Sequence, residues 1–177
     1  MQLKTLFPFK IIVMSKTIAA PPPKKDNPGV FIPPPILYAI VFVSGIFLQK
    51  NFPLSLSFFK SNLSTACGIG FIVIALLFIV NGIRQFILSR NTLITVKPAA
   101  SLQTTGIYAI SRNPMYVGLI TLYIALSFLV GNWWNLLLLP VLILVIYFIV
   151  IRKEEKYLER AFGTMYTRYK QKVRRWI

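Results

Sequence analysis

Long uncharged apolar runs dominate the hydrophobic pattern of this chain. Four such runs are present, at residues 29–48, 66–83, 115–131 and 133–151. Each is close to the ~20 apolar residues that an α-helix needs to cross a bilayer. In the first run, a series of prolines predicts that the helix begins near Pro35, because proline is tolerated only in the first turn of a helix. The pattern therefore predicts four membrane-spanning helices.

After residue 151 the pattern becomes amphipathic. Apolar side chains recur at helical spacing at Tyr157, Leu158, Ala161 and Phe162. Gly163 is suited to end that helix, and a second helix is predicted to follow. The predicted fold is thus an all-α integral membrane helical bundle. Residues 29–177 form its single domain, and residues 152–177 form amphipathic helices against the membrane face.

Residues 1–28 contain several lysines and prolines and lack a long apolar run. We predict a flexible basic tail, because such a segment cannot bury enough apolar surface to fold. Met14 is a second possible translation start within this tail.

The distribution of charged residues predicts the topology of the protein in the membrane. The chain has 20 Lys and Arg against four Asp and Glu, a formal charge of +16. Because the cations flank the apolar runs, they indicate membrane lipids as partners and argue against nucleic acid. Four spans place every Lys and Arg except Lys50 and Lys60 on one side of the membrane. By the positive-inside rule, both termini are predicted to be cytoplasmic.

Residue counts narrow the possible chemistry. Histidine is absent, and Cys67 is the single cysteine. These counts exclude zinc sites, Ser-His and Cys-His catalysis and internal disulfides, and no metal site is predicted.

A polar stretch, residues 105–118, leads into the third apolar run. Pro114 stands in the first turn of that helix, where amide hydrogens have no partner inside the helix, and Asn113 stands at the capping position. Helix capping requires neither Arg112 nor Tyr108. These two side chains at a membrane boundary are therefore candidates for binding a ligand.

Three of the four acidic residues cluster just beyond the fourth run, on the same side as Arg112. They are Glu154, Glu155 and Glu159. The simplest interpretation is a solvated helix turn with ion pairs three residues apart. These pairs would join Arg152 to Glu155 and Lys156 to Glu159. The alternative is that a strongly basic protein keeps its rare carboxylates here to bind a cationic ligand.

S-adenosylmethionine is a ligand of this kind, since it carries a sulfonium, an ammonium and a carboxylate. Carboxylates and tyrosine rings can stabilise its cations, and an arginine can hold its carboxylate. Methyl transfer is an in-line displacement, so positioning and exclusion of water can supply most of the rate. A site without histidine is compatible with that reaction.

The polar stretch and the acidic pair also follow a pattern. Arginine, asparagine, proline, tyrosine and glycine occur in the order Arg112, Asn113, Pro114, Tyr116 and Gly118, and residues 154–158 and 162–169 follow later in the chain. In this order and spacing, the blocks resemble the isoprenylcysteine carboxyl methyltransferase and phospholipid methyltransferase superfamily of small membrane enzymes. The resemblance covers the chain from about residue 66 onward.

The resemblance implies S-adenosylmethionine as cofactor, in a pocket lined by the polar stretch and closed by the C-terminal helices. The implied cofactor contacts are Tyr108, Arg112, Asn113, Pro114, Tyr116, Gly118, Glu154, Glu155, Tyr166 and Tyr169. The catalytic candidates among them are Glu155, Arg112 and Glu154. Arg112 is expected to hold a carboxylate, and Glu155 is expected to face the reacting centre or the ammonium.

The acceptor is predicted to be lipophilic, either an isoprenylcysteine-type carboxylate or a lipid-like small molecule. Asn113 stands where the eukaryotic prenylcysteine enzymes have histidine, and asparagine cannot titrate. A carboxylate acceptor would need no base, whereas an amine or thiol would need one, for which Glu155 is the candidate. The sequence leaves both open.

Two other functions compete with methyl transfer. An NADPH-dependent membrane reductase of the sterol-reductase type resembles these proteins in its helical C-terminal region, although residues 112–114 fit the methyltransferases better. A non-catalytic membrane protein would instead bind anionic lipid through its basic tail.

Overall fold

The computed structural model describes residues 26–89, 99 and 101–177, and these residues form helices and no strands. The helices are α1 (Pro34–Asn51), α2 (Asn62–Leu88), α3 (Pro114–Val130), α4 (Trp133–Ile146) and α5 (Arg152–Lys172). A π-helical turn, Tyr147–Ile151, joins α4 to α5, and 3₁₀ turns lie at Phe58–Lys60 and Gly106–Ala109. The all-helical class is thereby confirmed. The predicted tail up to residue 25, with Met14, lies outside the described residues.

Local sequence explains where the helices begin and end. The Ser61 side chain caps α2 by accepting a hydrogen bond from the amide of Ser64. Gly131 ends α3 in the left-handed conformation, with a φ of 70°. α2 extends beyond the uncharged run 66–83 at both ends. A capped polar turn precedes that run, and Arg84, which follows it, is a good helix former.

Close approaches through glycine hold the bundle together. α2 packs along α3, and α1 packs along α4. A Cβ atom on Gly118 would lie 2.6 Å from Ile79 Cγ1, and one on Gly68 would lie 2.7 Å from Leu129 Cδ2. Glycine at these positions lets the two backbones approach closely, as is usual for helices in membranes.

The outer surface of the bundle is apolar. In the most apolar part of α2 only 17% of residues are buried, and Val73, Leu77 and Val80 are each more than half exposed. Within the described part of the chain, two helices are long and apolar enough to cross a membrane, α2 and the continuous helix Trp133–Lys172, whereas α3 is a shorter apolar helix. These features indicate a membrane protein, and the four-span arrangement stays a prediction.

The two ends of the bundle differ. At one end the α1–α2 and α3–α4 connections meet: Trp134 Nε1 donates to the carbonyl oxygen of Phe52 at 2.7 Å, and the rings of Phe59 and Trp133 lie 4.7 Å apart. The opposite end carries residues 101–113, the first turn of α3 and α5. The two sequence blocks with candidate chemistry therefore lie at the same end.

α5 is kinked and folds over that end. Gly163 has φ 49° and ψ −125°, a conformation that glycine adopts readily, so it interrupts the helix as the sequence predicts. The buried face of α5 contributes Phe162, Tyr166 and Tyr169 to a small apolar cluster, against which Leu102 packs. This cluster fixes α5 over the residues that precede α3.

Candidate functional site

A small cleft of about 80 Å³ is bounded by α2, residue 99, residues 101–113 and α5. This volume is smaller than the ~300–1,000 Å³ that is usual for small-molecule sites. Seven of the ten predicted site residues line it: Tyr108, Arg112, Asn113, Glu154, Glu155, Tyr166 and Tyr169. Sequence segments far apart in the chain thus meet around one cleft.

Tyrosines form one wall of the cleft. Gly106, with a φ of 61°, starts the 3₁₀ turn that places Tyr108 against the ring of Phe86, with centroids 5.8 Å apart. Tyr169 Oη donates to the carbonyl oxygen of Tyr108 at 2.6 Å and so ties α5 to this turn. Burial raises the pKa of Tyr108 and Tyr169, and it raises the pKa of Tyr166 to about 12. These hydroxyls stay protonated at neutral pH and do not act as bases.

Arg112 is a buried cation at the edge of the cleft. Its side chain is 8% exposed, and Nη1 lies 3.2 Å from Glu155 Oε1 and 3.5 Å from Tyr166 Oη. Its Nε is buried and has no hydrogen-bond partner within the described part of the chain. A buried donor without a hydrogen bond raises the free energy of the folded protein, so Arg112 is suited to bind an acceptor atom of a ligand.

Glu155 is fully engaged by arginines. Arg175 Nε donates to Oε1 and Arg175 Nη2 donates to Oε2, both at 2.9 Å, a bidentate arrangement that adds to the contact from Arg112. The guanidinium of Arg175 also lies 4.9 Å from the centroid of the Tyr147 ring. Glu155 thus bonds to two arginines distant in sequence.

The predicted ion pairs between residues three apart in this helix turn are therefore not formed, and that prediction is wrong. Glu155 pairs with Arg112 and Arg175, not with Arg152. Glu159 pairs with Lys170 Nζ at 2.6 Å, not with Lys156. Longer-range pairs displace the local ones: Glu155 pairs outside α5, and Glu159 pairs with a residue of α5 beyond the Gly163 kink. The local pairs are easily replaced because exposed pairs three residues apart contribute only ~0.2–0.5 kcal/mol each.

Glu154 differs from Glu155 because it has no cationic partner among the described residues. Tyr116 Oη donates to its Oε1 at 2.9 Å. Burial raises the pKa of Glu154 to about 7, with a further contribution from the charge of Glu155, although the Tyr116 hydrogen bond opposes the increase. This carboxyl group therefore titrates near neutral pH and lines the same cleft as Arg112.

Asn113 has a different function from the predicted helix cap. It occupies the capping position of α3, but its side chain accepts no capping hydrogen bond. Its Nδ2 instead donates to the carbonyl oxygen of Arg175 at 3.1 Å. The amide of Asn113 donates to Ser111 Oγ at 3.1 Å, which keeps the turn closed without the cap.

Three predicted contacts do not line the cleft. Pro114 is buried in the first turn of α3, and Gly118 packs against Ile79 of α2. Tyr116 reaches the site only through its hydrogen bond to Glu154. The N-terminal turns of α3 face α2 and the acidic pair, and the predicted contact of these three residues with a cofactor stays a prediction.

Several residues in the wall of the cleft or behind it were not expected from the sequence. Arg175 was assigned only to the end of an amphipathic helix, and Phe86, Gln103 and Leu158 had no signal in the pattern. The only indication in the sequence that Arg175 pairs with a glutamate is that acids are few and cations are many, so that each carboxylate has several possible cationic partners. That indication gives no means of selecting the partner.

The side chains around the cleft suit a zwitterionic or cationic ligand. Arg112 can bind a carboxylate, Glu154 can accept a cation, and the rings of Phe86 and Tyr108 offer flat apolar surface. Glu154 is also able to accept a proton near neutral pH. Group transfer that depends on positioning is the chemistry that such a site can support.

Comparison with known proteins identifies relatives of this chain. The family whose sequence model matches is described as phospholipid methyltransferase, and the match covers residues 63–165, more than half of the chain. An uncharacterized protein from Haemophilus influenzae is 46% identical over 63 residues, which is 36% of this chain and all of that protein. No solved structure matches.

A second relative carries a functional name. The protein-S-isoprenylcysteine O-methyltransferase of Schizosaccharomyces pombe is 38% identical over 72 residues, or 41% of this chain. The match spans 30% of that protein's length. Both the family match and this relative agree with the superfamily indicated by the two sequence blocks. The chain therefore belongs to the phospholipid methyltransferase family.

Proposed function

We propose that this protein transfers a methyl group from S-adenosylmethionine to a lipophilic acceptor at the cytoplasmic face of a membrane. The observation that supports this proposal most directly is the meeting of the two sequence blocks in one cleft, where Arg112 lies 3.2 Å from Glu155 and Glu154 lines the same cleft. The cleft lies at the end of a bundle with an apolar outer surface, so a lipophilic acceptor has a route from the bilayer.

The residues of the cleft fit this cofactor. When bound, S-adenosylmethionine supplies a methyl group activated by the adjacent sulfonium. Arg112 has a buried Nε without a partner in the described ranges, which is suited to the cofactor carboxylate. Phe86 and Tyr108 present the flat surface that the adenine ring requires.

Glu154 is our candidate for the partner of a cofactor cation. Both oxygens of Glu155 already accept hydrogen bonds from arginines, so that carboxylate has little capacity left for a ligand. Glu154 has only the Tyr116 hydroxyl and is destabilised as an anion by burial. We therefore assign the ligand-facing function that the sequence suggested for Glu155 to Glu154, and assign Glu155 to the orientation of Arg112.

The proposed acceptor is an isoprenylcysteine-type carboxylate or an amine of a lipid head group. The first is suggested by the name of the Schizosaccharomyces pombe relative and the second by the name of the family. A carboxylate attacks without a base. An amine must first lose a proton, and Glu154 is the group of the cleft that titrates close enough to neutral pH to accept it.

Methyl transfer by the purified protein in liposomes tests the proposal. The reaction contains S-adenosylmethionine labelled in its methyl group and, separately, a farnesylcysteine or phosphatidylethanolamine as acceptor. We expect label in one lipid product, a rate at least ~100-fold lower in Arg112→Ala because a buried charged contact is lost, and no change in Glu159→Gln. Oxidation of NADPH without methyl transfer would establish a reductase instead. Binding to anionic liposomes with neither activity would indicate a lipid-binding protein.

A further inference from the structure

Residues 173–177 form a C-terminal segment that follows α5 and is hydrogen-bonded to the residues that precede α3. The amide of Arg112 donates to the carbonyl oxygen of Arg174 at 3.0 Å. Ser111 Oγ and Asn113 Nδ2 both donate to the carbonyl oxygen of Arg175, at 3.3 Å and 3.1 Å. Three consecutive residues before α3 therefore bind the backbone of this segment and fix its register.

This register places one side chain of the segment against the acidic pair. Arg175 donates hydrogen bonds to both oxygens of Glu155. The neighbouring Arg174 is exposed, and its side chain forms no hydrogen bond or ion pair with a described residue. The π-helical turn between α4 and α5 places Tyr147 against the guanidinium of Arg175. π-Helical turns inside α-helices occur frequently at functional sites.

Arg112 and Arg175 both contact Glu155, but they differ in their position relative to the cleft. Arg112 lines the cleft, whereas Arg175 is not among its lining residues. Glu155 lies between them, so the three side chains together carry a net charge of about +1. Because Arg175 fixes both oxygens of the carboxylate, the orientation of Glu155 is set independently of Arg112. The remaining positive charge is then available on the cleft side, at Arg112.

We propose that Arg175 is a positioning residue that holds Glu155 in the orientation from which it presents Arg112 to an anionic group of the ligand. The C-terminal segment thereby becomes part of the site, although it lies outside the region matched by the family. This inference rests on the proposed function, in which the anionic group is the carboxylate of S-adenosylmethionine.

The test compares adjacent arginines. Full-length protein in detergent is titrated with S-adenosylhomocysteine, which has the same carboxylate, and its unfolding midpoint is followed. We expect Arg175→Ala to weaken binding about tenfold or more, because two charge-assisted hydrogen bonds to Glu155 are lost. Arg174→Ala removes the same charge one residue away and is expected to bind like wild type. Arg175→Lys is expected to restore part of the affinity, since lysine lacks the planar fork.

Two further measurements distinguish loss of the positioning function from a general loss of stability in Arg175→Ala. Free guanidinium ion, below denaturing concentration, is expected to recover binding in Arg175→Ala and to leave Arg174→Ala unchanged. In a double-mutant cycle followed by unfolding midpoint, Arg175→Ala and Glu155→Gln are expected to be strongly non-additive. This cycle needs no ligand and remains informative if Arg175→Ala is too unstable for titration, in which case Arg175→Lys replaces it.

The outcomes separate the two proposals. Lack of binding by wild type would contradict the proposed function, and the double-mutant cycle would still decide whether Arg175 and Glu155 act as a unit. Binding by wild type with equal affinities for Arg175→Ala and Arg174→Ala would overturn the positioning function. Additive effects on the unfolding midpoint would overturn it as well.

Discussion

Single residues acquire their functions here through contacts that cross the chain. Glu154 and Glu155 are neighbours in sequence, yet one is bound by two arginines and the other by a tyrosine hydroxyl. The sequence predicted that both acids belong to the site. It could not assign different functions to them, because their partners Arg175 and Tyr116 lie 20 and 38 residues away. Only the packing of α3 and α5 selects those partners.

The raised pKa of Glu154 predicts how stability depends on pH in the ligand-free protein. The folded-state pKa of about 7 exceeds the usual value of 4.5, so the protonated form is favoured in the folded protein. The stabilisation is complete below pH 4.5 and is lost as the pH rises through 7. We expect the unfolding midpoint in detergent to fall over this window in wild type. The fall should be smaller in Glu154→Gln and unchanged in Glu159→Gln, which alters an exposed acid. Equal profiles for wild type and Glu154→Gln would contradict the assignment.

Ligand binding is expected to show the opposite dependence on pH. A cation beside Glu154 favours the carboxylate, so cofactor affinity should increase by up to ~10-fold per pH unit below 7 and level off above it. Titrations with S-adenosylmethionine and S-adenosylhomocysteine at several pH values check this, with Glu154→Gln as the variant that should show a flat profile. An increase for both ligands would identify the ammonium as the partner of Glu154. An increase for S-adenosylmethionine alone would identify the sulfonium, and a flat wild-type profile would contradict the contact.

At the scale of elements, the apolar pattern predicted the helices well and their contacts poorly. Runs of apolar residues locate α2, α3 and α4 because any spanning helix must be apolar. They do not reveal which faces of these helices pack against one another. Glycine at position 118 belongs to the family motif and was expected to contact cofactor. In the structure it allows α3 to approach Ile79 of α2, and a contact with cofactor stays a prediction. A motif glycine that serves packing cannot be distinguished by sequence from one that serves a ligand.

Glycine substitutions test the packing of α2 against α3. In Gly118→Ala the new methyl group would lie 2.6 Å from Ile79 Cγ1 and 3.2 Å from its backbone nitrogen. The helices must move apart, at a cost of about 1–3 kcal/mol in the free energy of unfolding. Gly70→Ala is the matched control, because nothing lies within 4 Å of its Cβ, and alanine favours a helix. Unfolding in detergent should rank Gly118→Ala well below wild type and Gly70→Ala at or above it. Equal effects of the two substitutions would contradict this packing.

At the scale of the whole molecule, charge and fold indicate the same orientation. The cleft, residues 101–113 and α5 occupy one end of the bundle, and most of the chain's described Lys and Arg lie there. Lys50 and Lys60 lie at the other end, near the packed Phe59 and Trp133 rings. The class of fold and the end that carries the site were predictable because both follow from hydrophobicity and charge. The shape of the cleft depends on long-range side-chain contacts and was not.

The single native cysteine makes the orientation easy to measure. In a background in which Cys67 is replaced by serine, new cysteines at Lys50 and at Lys172 report opposite ends of the bundle. We expect a membrane-impermeant thiol reagent to label Lys50→Cys in intact cells and Lys172→Cys only after the membrane is opened. Labelling of both positions from the same side would contradict the predicted arrangement of four spans with cytoplasmic termini.

The most direct test of the central claim is calorimetric titration of the detergent-purified protein with S-adenosylhomocysteine and, separately, with NADPH. The account predicts that wild type and Glu159→Gln bind S-adenosylhomocysteine with equal affinity. It also predicts that Arg112→Ala weakens this binding at least ~10-fold because the carboxylate loses its buried partner, and that NADPH does not bind. Binding of NADPH without S-adenosylhomocysteine, or S-adenosylhomocysteine affinity unaffected by Arg112→Ala in folded protein, would contradict it.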